Sequence, residues 1–181
     1  MNAEEGASIR AVRRVYAEKS GMQLQDAPEP RGIYEIGLGS RHGNKAAAIE
    51  AFRQLGEVVG DALANALTLI DGLAVIGGGI SAAWPLFLPT LVDELNGSFA
   101  APDGKQFRRL ASRAFNLEDA EQMNSFTVGE SREISVPGSK RKIVYDPLRR
   151  IGIGISRLGT SEAVAIGAYA YALHQLDRKR Q

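Results

Sequence analysis

The stretch VIGGGIS, residues 75–81, ends a short apolar run with three consecutive glycines and a small hydroxyl residue. LAVIGG, residues 73–78, has the length and flanks of a buried strand, and SAAWPLFLPTLVDELN, which follows, reads as a helix. A strand running through glycines into a helix leaves backbone N–H groups and a positive helix end at the carboxyl edge of a sheet. Glycine has no Cβ to hold a flat base or a phosphate off the main chain, and Ser81 can cap the helix or donate its hydroxyl. The arrangement suits a nucleotide. A tight strand-to-helix turn without any ligand accounts for the same residues about equally well. The pattern is not GxGxxG and the chain contains no GxxxxGK[ST], so the dinucleotide and P-loop readings lack their defining residues.

Length and charge narrow the setting of this turn. At 181 residues and 44% hydrophobic content, the chain is long enough for one domain or one large lobe with its own core. Lys plus Arg number 22 and Asp plus Glu 21, so the net charge of +1 offers no general attraction for nucleic acid or an anionic membrane. The absence of cysteine removes disulfides, thiolate metal sites and cysteine nucleophiles together. No signal peptide or membrane-length apolar run is evident, and a cytoplasmic location is expected.

Around the glycines the chain reads as mostly helical. Ser8 is a candidate cap for a helix carrying Ile9, Val12, Val15 and Tyr16 and ending near Gly21. Pro30 suits the first turn of a short helix lined by Ile33, Tyr34, Ile36 and Leu38. From Asn44, apolar residues at Ile49, Phe52, Leu55, Val59, Leu63, Leu67 and Ile70 follow the 3.6-residue period and predict the longest helix. Gly56 and Gly60, four residues apart in it, share a face that lets another backbone approach closely. Pro85 fits an early helical turn, whereas Pro89 is expected to kink or restart its helix. Residues 105–125 read as helical again, most clearly at LEDAEQMNSF. EISVPGSKRKIVYD reads as two strands about a Pro-Gly turn, and RIGIGIS alternates like a further strand. A last helix starts near Thr160 or Ser161, with Ala163, Ile166, Gly167, Ala170 and Leu173 small or apolar, before a solvated DRKRQ tail.

GNKAAAIEAF through GDALANALTLIDGLAVIGGGIS, together with RIGIGISRLGTSEAVAIGAYAYAL, resembles the carboxyl-terminal part of the ROK family of sugar kinases and repressors, most closely its glucokinase-type members. The resemblance runs from about residue 8 to the end. It implies an α/β lobe of ribonuclease H-like, actin-type ATPase architecture, helix-rich with a small mixed sheet. A hairpin insertion is expected within residues 104–150, which are longer than a typical member has. By this resemblance Gly77, Gly78, Gly79 and Ile80 lie along the adenosine of ATP, Ser81 starts the next helix, and a closing helix of the SEAVAIGAYAYAL type packs behind the motif. It further implies Mg-dependent phosphoryl transfer to a hexose in the complete protein, and a homodimer formed through this lobe.

The departures from the family pattern are informative. No Asp-x-Gly-Gly phosphate loop occurs: Asp71-Gly72 is followed by Leu73, and Asp103-Gly104 by Lys105. The family's asparagine-aspartate pair, its sugar-contacting Glu and His and its cysteine-rich zinc motif are missing too. The simplest account makes residues 1–181 a single carboxyl-terminal lobe, with the phosphate-binding lobe and the catalytic base outside it and the isolated chain inactive. Phosphoryl transfer needs held phosphates, a base and an enclosed acceptor, and this sequence offers a platform for the nucleoside alone. Two other classes remain open, a sugar-responsive regulator or pseudokinase and an oligomerisation domain that has lost its nucleotide.

Other polar residues have plainer readings. His42 is expected in a solvated loop, and His174 near a helix end, where a partly charged imidazole is favoured. Glu118, Asp119 and Glu121 fall at a helix start, which stabilises acids without any metal. SKRK, residues 139–142, with Arg149 and Arg150, reads as a solvated hairpin tip more readily than as a nucleic-acid patch. Trp84, Phe87 and Leu88 are expected in the core or a subunit contact.

Overall fold

A computed structural model describes residues 3–70 and 72–178. A single turn, α1 (Ala3–Gly6), precedes α2 (Ile9–Ser20), which starts where the sequence places its cap. The Ser8 Oγ accepts the Ala11 N–H at 3.2 Å, and Gly21, at φ 69°, ends the helix in the left-handed conformation. α3 (Pro30–Leu38) begins on its proline and ends at Gly39, also left-handed. α4 (Lys45–Leu69) is capped by Asn44, whose Oδ1 accepts the Ala47 N–H. Phe52 and Leu55 turn inward against Tyr16, Ile33 and Leu91, and each such buried side chain contributes roughly 1.5–3 kcal/mol by leaving water. Ile49 and Leu38, also expected to face inward, are about half exposed.

Strand β1 (Ala74–Ile76) leads into the glycines, and a 3-10 turn at Ser81–Ala83 leads on into α5 (Trp84–Leu95). Pro89 lies inside α5, and the helix continues through it where the sequence predicted a kink or restart. The bond a non-proline residue would make there runs to the carbonyl of residue 85, so the loss falls in the first helical turn. α4 and α5 pack closely along the glycine face. A Cβ on Gly56 would stand 2.5 Å from the Phe87 carbonyl oxygen, and one on Gly60 would stand 2.8 Å from the Glu94 Cβ. Phe87 and Leu88 are buried and Trp84 half-buried.

Beyond α5 come β2 (Ser98–Ala100), β3 (Gln106–Arg108), β4 (Arg113–Asn116), α6 (Ala120–Val128), β5 (Arg132–Ser135), β6 (Lys142–Tyr145), β7 (Arg150–Ile155) and α7 (Thr160–Arg178). The first half of the expected 105–125 helix is therefore strand. β3 pairs antiparallel with β2, and β4 runs parallel to β7, with Arg113 opposite Arg150 and Asn116 opposite Ile153. Burial of Ala114, Phe115 and Asn116 against the core outweighs local helix preference there. The main sheet has the order β1-β7-β4, all parallel, and two antiparallel ribbons, β2-β3 and β5-β6, stand beside it. Within 104–150, β4 is thus part of the main sheet, while β5-β6 forms the hairpin, turning at Gly138.

The outward backbone groups of β4 are met by side-chain amides. Asn96 donates to the Ala114 carbonyl and accepts the Ala114 N–H, both at 2.9 Å, and the Gln122 Oε1 accepts the Asn116 N–H at 2.9 Å. Buried backbone polar groups need such partners.

The final helix differs from expectation in its surroundings. α7 forms over Thr160–Arg178, but no described element packs along it, and Val164, Ile166, Tyr169, Tyr171, Leu173 and Leu176 are 50–75% exposed. It leaves the end of β7 through residues 156–159 and does not lie behind the glycine turn.

On α4, Arg53 bonds Glu50 at 2.6 and 2.8 Å and also Glu57. The hydrogen bond from Arg53, aided by Gln54, lowers the Glu50 carboxyl from 4.5 to about 2. A depressed folded value means the contact contributes fully above the unfolded value of 4.5 and is lost as pH falls toward 2. Carboxyl NMR should show Glu50 titrating near 2 in the native chain and returning toward 4.5 in Arg53→Ala. An unchanged midpoint in that variant would show that Arg53 is not the cause.

Candidate functional site

Because β1, β7 and β4 are parallel, their carboxyl ends meet at one edge, where ligands of open α/β sheets bind. Gly77, Gly78 and Gly79 leave β1 at this edge and are solvent-exposed. Gly78 has φ 99°, a conformation that side chains resist, and its carbonyl accepts both the Ser81 N–H at 3.1 Å and the Ser81 Oγ at 2.7 Å. Ser81 therefore closes the turn with its hydroxyl, and no side chain caps the 3-10 turn or α5.

The three glycines have different local reasons. A Cβ on Gly77 would make an ordinary 3.6 Å contact with Ser156, and one on Gly78 or Gly79 would meet nothing within 4 Å. Backbone conformation explains Gly78. Neither conformation nor protein packing explains Gly79. The backbone N–H groups of Gly78, Gly79 and Ile80 donate to no described partner, so they are free for an acceptor from outside.

Beside the turn is a hollow of about 370 Å³. Its apolar walls are Leu55 and Val59 of α4, Ile76, Ile80 and Phe87, and Ser8, Ile9, Gly77, Gly79 and Ser81 border it. This is within the size range of small-molecule sites. A larger hollow of about 580 Å³ lies at the opposite end of the sheet, beside Arg109–Ser112 and Arg149–Ile151. Two of its three cations are already engaged: Arg109 with Asp61 and Glu94, and Arg150 with Asp146. The glycine edge is the better-formed site for a flat ligand.

The structure brings Gly77 to Ser81 together with the starts of α2 and α5, as one turn. It does not bring the histidines there: His42 is exposed in the loop before α4 and His174 is exposed near the end of α7. Asp119 caps α6 by accepting the Gln122 N–H, and Glu121 lies in the first turn, both as the sequence reading implied. Glu118 behaves differently. Its side chain is only 6% exposed, accepts the Ile155 N–H at 2.9 Å and pairs with Arg157 at 2.7 Å. Sequence reasoning missed this because the partners lie 37 and 39 residues away and no local pattern encodes them. Among the described residues, no group of three or more His, Asp or Glu is placed to hold a metal ion.

A parallel sheet edge carrying a glycine turn, in a helix-rich α/β frame, defines a lobe of the actin, hexokinase and ribonuclease H-like architecture. A crystal structure of glucokinase from Parabacteroides distasonis matches the chain with a TM-score of 0.80 and 47% sequence identity. The resemblance to glucokinase-type ROK kinases is thereby borne out, over 95% of this chain. The same match covers 46% of the glucokinase, so the chain spans about half its length. No protein-family model matches the chain, and no curated protein does. No helix among the described residues is long and apolar enough to cross a membrane.

Proposed function

We propose that the chain is the adenosine-holding lobe of an ATP-dependent hexose kinase, with glucose the preferred sugar and with the phosphate-binding lobe and catalytic base supplied from outside residues 1–181. The observation that carries this reading is Gly79: its missing side chain serves neither backbone conformation nor packing, and it borders a hollow of suitable size. A flat base on that backbone needs the space a Cβ would occupy. The apolar walls from Leu55, Val59, Ile80 and Phe87 fit a base, and the unpaired N–H groups of Gly78 to Ile80 fit its acceptors or those of the sugar.

The residues present thus fit the nucleoside end of ATP. When bound in the complete kinase, ATP with its Mg ion supplies the transferable phosphoryl group. What this chain contributes is orientation: a rigid sheet edge fixed by β7 and a turn closed by Ser81. It offers no aspartate base on a hexose hydroxyl, and turnover by the isolated chain is expected to be nil. The glucokinase kinship also supports a homodimer through this lobe.

Isothermal titration of the chain with ATP, ADP and glucose tests the reading. Binding of both nucleotides without glucose is the expected result. Glucose binding by a folded sample would mean that the sugar site lies within residues 1–181, and no nucleotide binding would reduce the glycines to a turn.

A further inference from the structure

The three strand exits at the carboxyl edge carry one cation among them. β1 leaves through Gly77–Gly79, β4 through Leu117, Glu118 and Asp119, and β7 through Ser156, Arg157 and Leu158. The Ser156 N–H bonds the Ile76 carbonyl at 2.9 Å, which places Ser156 beside Gly77 and Arg157 one residue further along the glycine turn. Neighbouring strands lie about 4.8 Å apart, so an arginine side chain starting there spans the turn easily. The guanidinium is tied at a single point, Nη2 to the Glu118 Oε2 at 2.7 Å. Its side chain is otherwise 78% exposed, and Nε and Nη1 have no partner among the described residues.

Glu118 is costly to bury unless it does something. It fixes both ends of this arrangement, accepting the Ile155 N–H that ends β7 and holding one side of Arg157. The carboxylate faces into the protein and the free donors of the arginine face outward. A guanidinium held at one nitrogen loses less freedom when its remaining N–H groups take an anion, and its fork matches a phosphate oxygen pair.

We propose that Arg157, positioned by Glu118, is the phosphate contact of the nucleotide whose nucleoside lies at Gly77 to Ile80. The ligand class is then a nucleoside polyphosphate rather than a free nucleoside or base. This rests on the adenosine reading of the glycine turn, and the test separates the two. Arg10, exposed at the start of α2 next to Ser8 and without a described partner, is the nearest rival cation and serves as the control.

The experiment is titration of the chain with ATP and, separately, with adenosine, in native protein, Arg157→Ala, Arg157→Lys and Arg10→Ala, with thermal midpoints confirming that each is folded. Native protein should bind ATP more tightly than adenosine. Arg157→Ala should weaken ATP roughly ten- to a hundredfold and leave adenosine unchanged, as expected for loss of a charge-assisted hydrogen bond. Arg157→Lys should recover part of the loss, and Arg10→Ala none of the effect. Equal binding of ATP and adenosine by native protein, or an ATP loss seen in Arg10→Ala instead, would overturn the phosphate assignment while leaving the nucleoside reading intact. Failure of native protein to bind either ligand would remove both.

Discussion

Replacing Gly79 by alanine is expected to weaken adenine-nucleotide binding at least tenfold while leaving the fold intact. The Cβ would enter space that no protein atom fills within 4 Å, and Gly79 does not have a positive φ. Alanine at a compatible backbone position stabilises by about 0.4–1 kcal/mol through the unfolded state, so the melting temperature should hold or rise. A base lying on the backbone would lose that contact, and tenfold in affinity corresponds to about 1.4 kcal/mol. Titration with ADP, set beside a urea melt of the same sample, reads both quantities. Native affinity in this variant would show that the space over Gly79 is left empty by the ligand. Gly78→Val should abolish binding as well, but φ 99° makes any side chain there strained, so its failure alone cannot separate a blocked ligand from a distorted turn. Gly79 therefore provides the cleaner test, and only the structure distinguishes it from its two neighbours.

The largest expected effect on stability lies in the helix pair behind the site. Gly56→Val puts a branched side chain where even a Cβ would be 2.5 Å from the Phe87 carbonyl oxygen and 3.2 Å from the Leu91 nitrogen. Those are backbone atoms of α5 and cannot rotate away, so α4 and α5 must separate. Overpacking of this kind costs about 1–3 kcal/mol, and a rigid backbone neighbour puts the expected loss at the upper end, near 3 kcal/mol. Helix propensity runs the other way by only a few tenths of a kcal/mol. Urea denaturation of Gly56→Val should show the midpoint fall sharply, with Gly56→Ala falling less. A midpoint equal to that of the native chain would mean that the helices have slack at this crossing. Because α5 begins just after the glycine turn, loosened packing is expected to weaken nucleotide binding too.

What the sequence made legible was local or periodic. The α4 stripe, the caps at Ser8 and Asn44, the left-handed stops at Gly21 and Gly39 and the paired Gly56 and Gly60 are all encoded within a few residues of where they act. The glycine turn was legible for the same reason. β4 was not: four residues between arginines show no period, and their partner strand begins 37 positions later at Arg150. Glu118 was read as one more acid at a helix start, because its bonds to Ile155 and Arg157 are long-range. α7 was read correctly as a helix and incorrectly as a packed one. Its small and apolar residues specify that some surface should cover them, without saying which, and no described element does so.

The amides of Asn96 and Gln122 have an effect on how this sheet can grow. Unpaired strand edges invite other chains to add on, and proteins commonly blunt them with charges or bulges. Here two neutral side chains occupy the outer hydrogen-bonding groups of Ala114 and Asn116, so an incoming strand finds no donors or acceptors on that flank. The opposite flank, β1, has a neighbour on one side only, and Leu73 and Val75 there are 63% and 66% exposed. The sheet is thus polar in its capacity for extension: sealed past β4, it can recruit a further strand, native or stray, along β1 alone.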